Sequence, residues 1–358
     1  MAGFQWERDE LSILKAKVDS GELISRAWGE KALPGRTQTA IRRMAVKLSS
    51  VSVDEMLAGR KEGTVKGRPT GTLIPDASRP IDILLADRER DFERKAAHHL
   101  AKRDVKITMP DNGPYLAVGI GDVHIDNPGC DIKRFRDDID FINGTDRAYG
   151  FGVGDWSDNW SGYLERLYAA SPSTKSEAEK LMKWSLTCID WLFVIFGNHD
   201  AWTGQAESFC KERGIVGVRH GGIFNLVSGE YNTKINCRHM HRGNSQYDPA
   251  FAAKKQAYRG NPADLIISGH YHTSASGIIA NGVAGTLSHT VRVGAYKIFD
   301  DYQEANGFDD DTIGPASFHV VRPYIVGPGK LTTFWDRDTA EMLLHAAVDE
   351  WEQIREEL

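Results

Sequence analysis

From about residue 114 the chain alternates short apolar runs with segments of helical period. The runs YLAVGIG, AYGFGVG, WLFVIFG and DLIISG are β-prone, end in glycine and pass at once into polar residues. Short strands with helices between them predict an α/β domain whose chemistry lies at the carboxyl ends of the strands. Beyond residue 275, TVRVGAYKIF, SFHVVRPYIVG and KLTTFWD predict antiparallel strands of a second sheet, and TAEMLLHAAVDEWEQIREEL predicts a closing helix. Upstream, IDILLADRERDFERKAAHHLAKRD reads as one amphipathic helix. Residues 4–50 carry three shorter helical patterns, marked by Leu11, Leu14 and Val18, by Ile24 and Trp28, and by Ile41, Ala45 and Leu48 after the breaker LPG. The chain thus divides into a helical domain over 1–55, a linker over 56–80 rich in Gly, Pro and basic residues, a connecting helix over 81–113 and the α/β domain over 114–358.

Each strand end delivers side chains that bind metals. GDVHID follows the first run, with Asp122 and His124; GDWSDN follows the second, with Asp155 and Asp158. GNHD follows the third, with Asn198, His199 and Asp200, and GHYH the fourth, with His270 and His272. INCRHMHRG adds His239 and His241. Alternate residues of an extended chain face the same way, so Asp-x-His and His-x-His each aim two ligands at one point. Mixed oxygen and imidazole donors suit Mn, Fe, Zn or a related divalent ion rather than Ca²⁺. Such a set is too large for one tetrahedral site, and with one carboxylate shared it suits two ions. Taken singly, any of these motifs reads as a turn or a surface histidine; their joint occurrence after successive apolar runs carries the inference.

In that order, GDVH, GDWSD, GNHD, a lone His and GHYH resemble the signature of calcineurin-like metallophosphoesterases, over roughly residues 114–335. The resemblance implies a four-layer α/β/β/α sandwich, with Asp122, His124 and His272 on one ion and Asn198, His239 and His270 on the other. It further implies that Asp155 bridges them, that an activated water is the nucleophile, that His199 protonates the leaving oxygen and that Asp158 orients His199. Mn²⁺ suits such a site best, with Fe, Zn or Mg as alternatives. His239 is preferred to His241 because it comes first after the strand TKINC; RHMHRGNSQYDP also resembles that portion of phage-type members. Asn159 stands where the protein Ser/Thr phosphatases carry Arg, and GNHD ends in Asp rather than Glu, which disfavours that branch. Trp156, Trp160 and Tyr163 follow the second motif closely enough to stack on a nucleobase, though core packing is the commoner fate of such aromatics. His98, His99, His220, His289, His319 and His345 read as ordinary core or surface residues.

The N-terminal pattern W-x-x-D-E-x-x-I-L followed by LPGRTQTAIRRMAVKL resembles Myb/SANT-like helix-turn-helix domains over about 45 residues. Arg36, Arg42, Arg43 and Lys47 lie around the third helix, away from its apolar stripe, where such modules meet DNA. KGRP in the linker resembles a minor-groove hook. The bland alternative is a small bundle that binds protein or caps the enzyme.

Charge changes the picture modestly. Residues 1–110 hold 21 Lys+Arg against 16 Asp+Glu, and the remainder 23 against 34. An acidic catalytic region favours cations and a basic head favours a polyanion. No apolar run approaches the ~18 residues that cross a bilayer, so no membrane partner is expected. MAGFQWERDE lacks the look of a secretory signal, and four scattered cysteines suit a reducing cytoplasm. The expected function is two-metal hydrolysis of phosphodiester bonds in nucleic acid, with the N-terminal module targeting DNA. The alternatives are a phosphomonoesterase or cyclic/dinucleotide phosphodiesterase with a protein-binding head, and a non-catalytic DNA-binding protein. Metal identity, DNA or RNA, endo or exo cleavage and oligomeric state stay open at this level.

Overall fold

The computed structural model describes residues 6–58, 78–161, 165–166, 171–243, 245, 247–282, 285–299 and 313–357. The chain separates into two compact units, 1–80 and 81–358. Most of the expected linker, with its KGRP, and Tyr163 lie outside the described residues.

The first unit is helical: α1 (Arg8–Asp19), α2 (Arg26–Ala32), α3 (Gln38–Leu48) and α4 (Val53–Ala58). Ser25 and Thr37 cap α2 and α3 by accepting from Trp28 N and Ala40 N, which satisfies donors that a helix start leaves unpaired. The expected stripes meet in one small core of Trp6, Leu11, Leu14, Leu33, Ile41, Ala45 and Leu48.

The second unit opens with α5 (Ile81–Ala101), none of whose residues is buried. The expected connecting helix over 81–113 therefore ends early, and β1 (Val105–Thr108) follows it. Then come β2 (Tyr115–Ile120), α6 (Ile132–Gly144), β3 (Ala148–Gly152), α7 (Lys175–Ser185), β4 (Val194–Phe196), α8 (Asn198–Thr203) and α9 (Gln205–Arg213). β5 (Gly217–Arg219), β6 (Gly221–Ser228), β7 (Tyr231–Arg238), α10 (Phe251–Arg259) and β8 (Leu265–Ser268) continue the unit. It closes with β9 (Ala275–Asn281), β10 (Thr286–Arg292), β11 (Ala316–Val321), β12 (Leu331–Phe334) and α11 (Arg337–Glu357). No helix among the described residues is long and apolar enough to cross a membrane.

Two six-stranded sheets result, β12-β11-β2-β3-β4-β5 and β1-β6-β7-β8-β10-β9. The three C-terminal runs do not form one sheet, contrary to the expectation from their pattern. β10 joins β8 in parallel, whereas β11 and β12 cross to the first sheet, where β11 lies antiparallel to β2. Strand periodicity marks a strand and its buried faces but not its neighbour.

Side-chain alternation builds the layers. Tyr115 and Ala117 of β2 face inward with Phe151, Phe193 and Ile195, against Phe224, Leu226, Ile235, Leu265, Ile267 and Val291 of the other sheet. The alternate residues Leu116, Val118 and Ile120 face outward onto Phe135 and Ile139 of α6, Met182 of α7, Cys210 of α9 and Leu344 of α11. On the far side, Ala253 and Ala257 of α10 cover Ile266. Helices thus flank a pair of stacked sheets, the four-layer α/β/β/α sandwich expected.

Candidate metal centre

Six side chains of interest sit on backbone that ordinary residues avoid. Asp122, His124, Asp155, Asn159, His270 and His272 have φ of 47°, 43°, 55°, 41°, 74° and 53°. Left-handed backbone at non-glycine residues is sterically costly and collects at functional sites. Here it turns the chain off β2, β3 and β8 so that the next side chains point back across the strand ends. The neighbouring glycines make room: a Cβ on Gly197 would lie 2.1 Å from Asp155 Oδ1, and one on Gly269 2.1 Å from Asp122 Oδ2.

The turns gather two groups of donors. Asp122, His124 and His272 have donor atoms within 4.8 Å of one another, as do Asp155, His239 and His270. His239 Nε2 stands 3.0 Å from Asn198 Oδ1, 3.2 Å from His270 Nδ1 and 3.1 Å from Asp155 Oδ2. Asp155 Oδ2 also lies 3.9 Å from His124 Nε2, so this one oxygen faces both groups. The residues fit divalent ions: Asp122 Oδ1 and His124 Nε2 are buried polar atoms with no hydrogen-bond partner among the described residues, a costly arrangement that coordination would relieve. A third group, His124, Asp158 and His199, is gathered equally closely.

Burial disfavours the imidazolium, pushes His124 and His270 down to about 4, and holds His272 well below the ordinary imidazole range. These rings are neutral at pH 7, the form that coordinates metals. His239 differs. Burial pushes it down, but Asp155 alongside overrides this and raises it to about 9. Asp155 is lowered in turn, because the attraction of His239 outweighs its own burial. In metal-free protein the proton therefore sits on His239, and an ion must displace it to reach Nε2. Affinity for the ion on that side is expected to climb roughly tenfold per pH unit toward pH 9, the signature of one displaced proton. Asp122 adds a fraction of a proton, since burial raises its carboxyl to about 7. Titration calorimetry with Mn²⁺ in buffers of different ionisation enthalpy at pH 7 is therefore expected to show between one and two protons released; no release would refute this protonation state.

The residues around the donors hold them in place. Asp158 Oδ1 lies 2.8 Å from His124 Nδ1, while the His199 ring meets Asp158 through its main-chain oxygen, at 2.5 Å from Nδ1. The carboxylate expected to orient His199 thus orients His124, and the carbonyl of the same residue serves His199. That contact turns His199 Nε2 toward the centre, 3.9 Å from Asp155 Oδ2. Asn127 donates to Asp158 Oδ2 at 2.6 Å, and Asp126 accepts from Asp158 N at 2.7 Å. Buried Asp200 accepts from the main-chain N of Asp155, Trp156 and Gly197 at 2.8–3.1 Å, tying the second motif to the third. Lys297, 3 % exposed, brings its ammonium 3.5 Å from Asp158 Oδ1. Asp126, Asn127 and Asp200 lie within or beside motifs that the sequence displays, but nothing in the sequence points to Lys297.

Other expectations resolve by position. His241 is buried and belongs to none of the three donor groups; burial, then Arg238, pushes it down to about 3. Of the two, it is His239, directly after β7, that belongs to a donor group. Trp156 is fully buried, donates Nε1 to Ile195 O and packs edge-on against Trp191, so it is a core residue and not a stacking platform. In the first unit, Arg42, Arg43 and Lys47 are exposed. Arg36 departs from them. It makes a two-point ion pair with Glu10, Nε–Oε1 2.8 Å and Nη2–Oε2 2.6 Å, and lies over the Trp6 ring. Its guanidinium is committed to the unit's own packing rather than to the outer face of α3.

No protein-family model matches the sequence, and no curated protein matches it. Solved structures similar to it include nuclease MPE from Pseudomonas putida, 12 % identical, with 61 % of this chain covering 87 % of that one at a TM-score of 0.29. Calcineurin-like phosphoesterase YfkN from Bacillus subtilis is also 12 % identical, with coverage of 62 % and 88 % and a TM-score of 0.34. Vps29 from Chaetomium thermophilum is 10 % identical, with coverage of 62 % and 94 % and a TM-score of 0.26. The geometry itself establishes an α/β/β/α sandwich whose strand ends gather two groups of metal-type donors around one shared carboxylate oxygen.

Proposed function

We propose that the chain is a two-metal phosphoesterase of the calcineurin-like superfamily that hydrolyses phosphodiester bonds, most fittingly those of nucleic acid. The observation that carries this reading is the placing of Asp155 Oδ2, 3.1 Å from His239 Nε2 and 3.9 Å from His124 Nε2, with a donor group on either side. Asp122, His124 and His272 would hold one divalent ion, Asn198, His239 and His270 the other, with Asp155 common to both. Such ions supply activation of water at neutral pH and neutralisation of phosphoryl charge.

The protein's own groups do the rest. Asp158 and its carbonyl orient His124 and His199 together. His199 stands outside the two groups that share Asp155 and would deliver a proton from Nε2 to the departing alcohol oxygen. The Nδ1 hydrogen bond to a carbonyl fixes the tautomer in which Nδ1 donates; Nε2 is then free to take up and deliver that proton. The direct test is hydrolysis of bis-p-nitrophenyl phosphate and of single-stranded and duplex DNA, with Mn²⁺, Fe²⁺, Zn²⁺ or Mg²⁺ added after chelation. Turnover that returns with metal supports the reading, and cleavage of DNA makes the protein a nuclease. No turnover with any metal would sink it.

DNA targeting by the first unit is part of the proposal, supported by the exposed Arg42, Arg43 and Lys47 on α3. Replacing all three by Ala is expected to reduce the slope of log affinity against log salt by about 2–3 for duplex DNA, close to one for each phosphate no longer neutralised. Arg36→Ala is expected to lower the stability of the unit, since it removes the Glu10 pair. An unchanged slope in the triple variant would leave the unit a protein-binding or capping bundle.

A further inference from the structure

Two indoles bracket His199. Trp202 lies three residues further along α8, and residues three apart share a helix face; its ring centroid is 4.3 Å from that of His199. Trp160 approaches from the loop after β3, edge-on at 5.0 Å. The two indoles are 6.3 Å apart and inclined by 33°. Asn159 builds this arrangement: from a left-handed backbone its Nδ2 donates to His199 O at 2.7 Å and to Thr203 Oγ1 at 2.9 Å, so the loop that carries Trp160 is clamped to the helix that carries Trp202. Trp202 remains 40 % exposed. Beyond Trp160 opens a cavity of about 480 Å³, lined among others by Ser157, Asn159, Ser161, Thr203 and Gln205.

We propose that the Trp160–Trp202 pair and the adjoining cavity form a subsite for the nucleobase of the leaving nucleoside. The inference rests on the reading of His199 as the group that protonates the leaving oxygen. Whatever is bonded to that oxygen must lie on the His199 side of the centre, and there the protein presents two indoles. A flat π system gains most from such a surface, and stacking of a base on an aromatic side chain contributes about 1–3 kcal/mol irrespective of base identity. The hydroxyl and amide groups of Ser157, Ser161, Thr203 and Gln205 supply hydrogen-bonding partners for the edges of a base. A small alkyl leaving group would leave both features unused. A single exposed tryptophan is unremarkable on a protein surface; two that touch the same histidine, held together by one asparagine beside a polar cavity, form a built site.

The test compares the rate at which thymidine 3′-phosphate forms from three of its esters, so that the leaving alcohol is in turn thymidine through its 5′-oxygen, methanol, and glucose through its 6-oxygen. Wild-type protein is expected to favour the thymidine ester over the methyl ester by about tenfold or more in kcat/KM, with the glucose ester near the methyl ester. Trp202→Ala is expected to bring the first ratio within about twofold, and Trp202→Phe, which keeps a π face, to retain most of it. A ratio unchanged in Trp202→Ala and Trp160→Ala would overturn the proposal. So would a glucose ester as good as the thymidine ester, since the pair would then be a sugar platform. Equilibrium dialysis of thymidine 5′-monophosphate, against inorganic phosphate as control, separates this proposal from the hydrolytic reading. If wild type hydrolyses none of the esters, saturable nucleotide binding that Trp202→Ala loses still supports the subsite, and absence of such binding sinks it.

Discussion

Asp155→Ala is expected to remove metal-dependent phosphodiester hydrolysis, lowering kcat/KM on the order of a thousandfold or more. Its Oδ2 faces both donor groups, 3.1 Å from His239 Nε2 and 3.9 Å from His124 Nε2. A common ligand of two ions sets their spacing and their joint effect on water and phosphate, and several kcal/mol of barrier depend on that pairing. The second oxygen, Oδ1, accepts from His199 N at 3.0 Å, so the substitution also unties the start of α8. Assay of bis-p-nitrophenyl phosphate together with metal content by mass spectrometry checks both consequences. The expected result is loss of turnover with fewer than two ions retained. Activity within about tenfold of wild type would remove Asp155 from the centre of the mechanism.

His199→Ala is expected to behave differently. Its ring contacts Asp158 O through Nδ1 and presents Nε2 to the centre, and it packs edge-on against His124 at 4.9 Å while standing outside the two groups that share Asp155. A proton delivered to an alkoxide leaving group contributes about 10²–10⁴ in rate, so hydrolysis of a dinucleotide should fall by that factor. Departing p-nitrophenolate is a stable anion that needs no proton, so with bis-p-nitrophenyl phosphate the loss should shrink to about tenfold or less. Two bound ions should remain. Equal losses on both substrates would refute the proton-delivery role and leave His199 a group that stabilises charge or positions substrate.

Much of the site was legible because its donors follow directly on apolar strands. GDVH, GDWSD, GNHD and GHYH place Asp122, His124, Asp155, Asn198, His270 and His272 at strand ends, and the structure brings them together around the two donor groups. Local sequence favoured His239 over His241 only by its place directly after the strand, two residues ahead in one segment. The outcome depends on where the opposite sheet lies, and it is His239 that reaches Asn198 and His270. Nor could it show that Asp158 serves His124 with its carboxylate and His199 with its carbonyl, since main-chain contacts carry no residue signature. Lys297 and Trp202 reach the site across long stretches of chain or one turn of a short helix, without a motif of their own. At the level of the fold, the runs around residues 286–334 were legible as strands, but their pairing was not. β11 finds β2, some 200 residues earlier, because burial of Phe318 and Val320 against α6 and α11 selects that edge. The basic face of the first unit was legible in outline, and Arg36 fell out of it only when Glu10 and Trp6 were seen beside it.

The sandwich also bears on how the chemistry is held together. Asp122, Asp155 and Asn198 leave strands of one sheet, and His239, His270 and His272 leave strands of the other. The centre therefore straddles the seam between the sheets, and ions seated there would act as rivets through both plates. Any slip of one sheet over the other, even one begun at the Phe193–Phe224 stack, would appear first as a misfit between rivet and hole. Turnover would then be a sensitive gauge of how well the two sheets are aligned, and changes in the seam that leave the melting temperature almost untouched would still register in the rate.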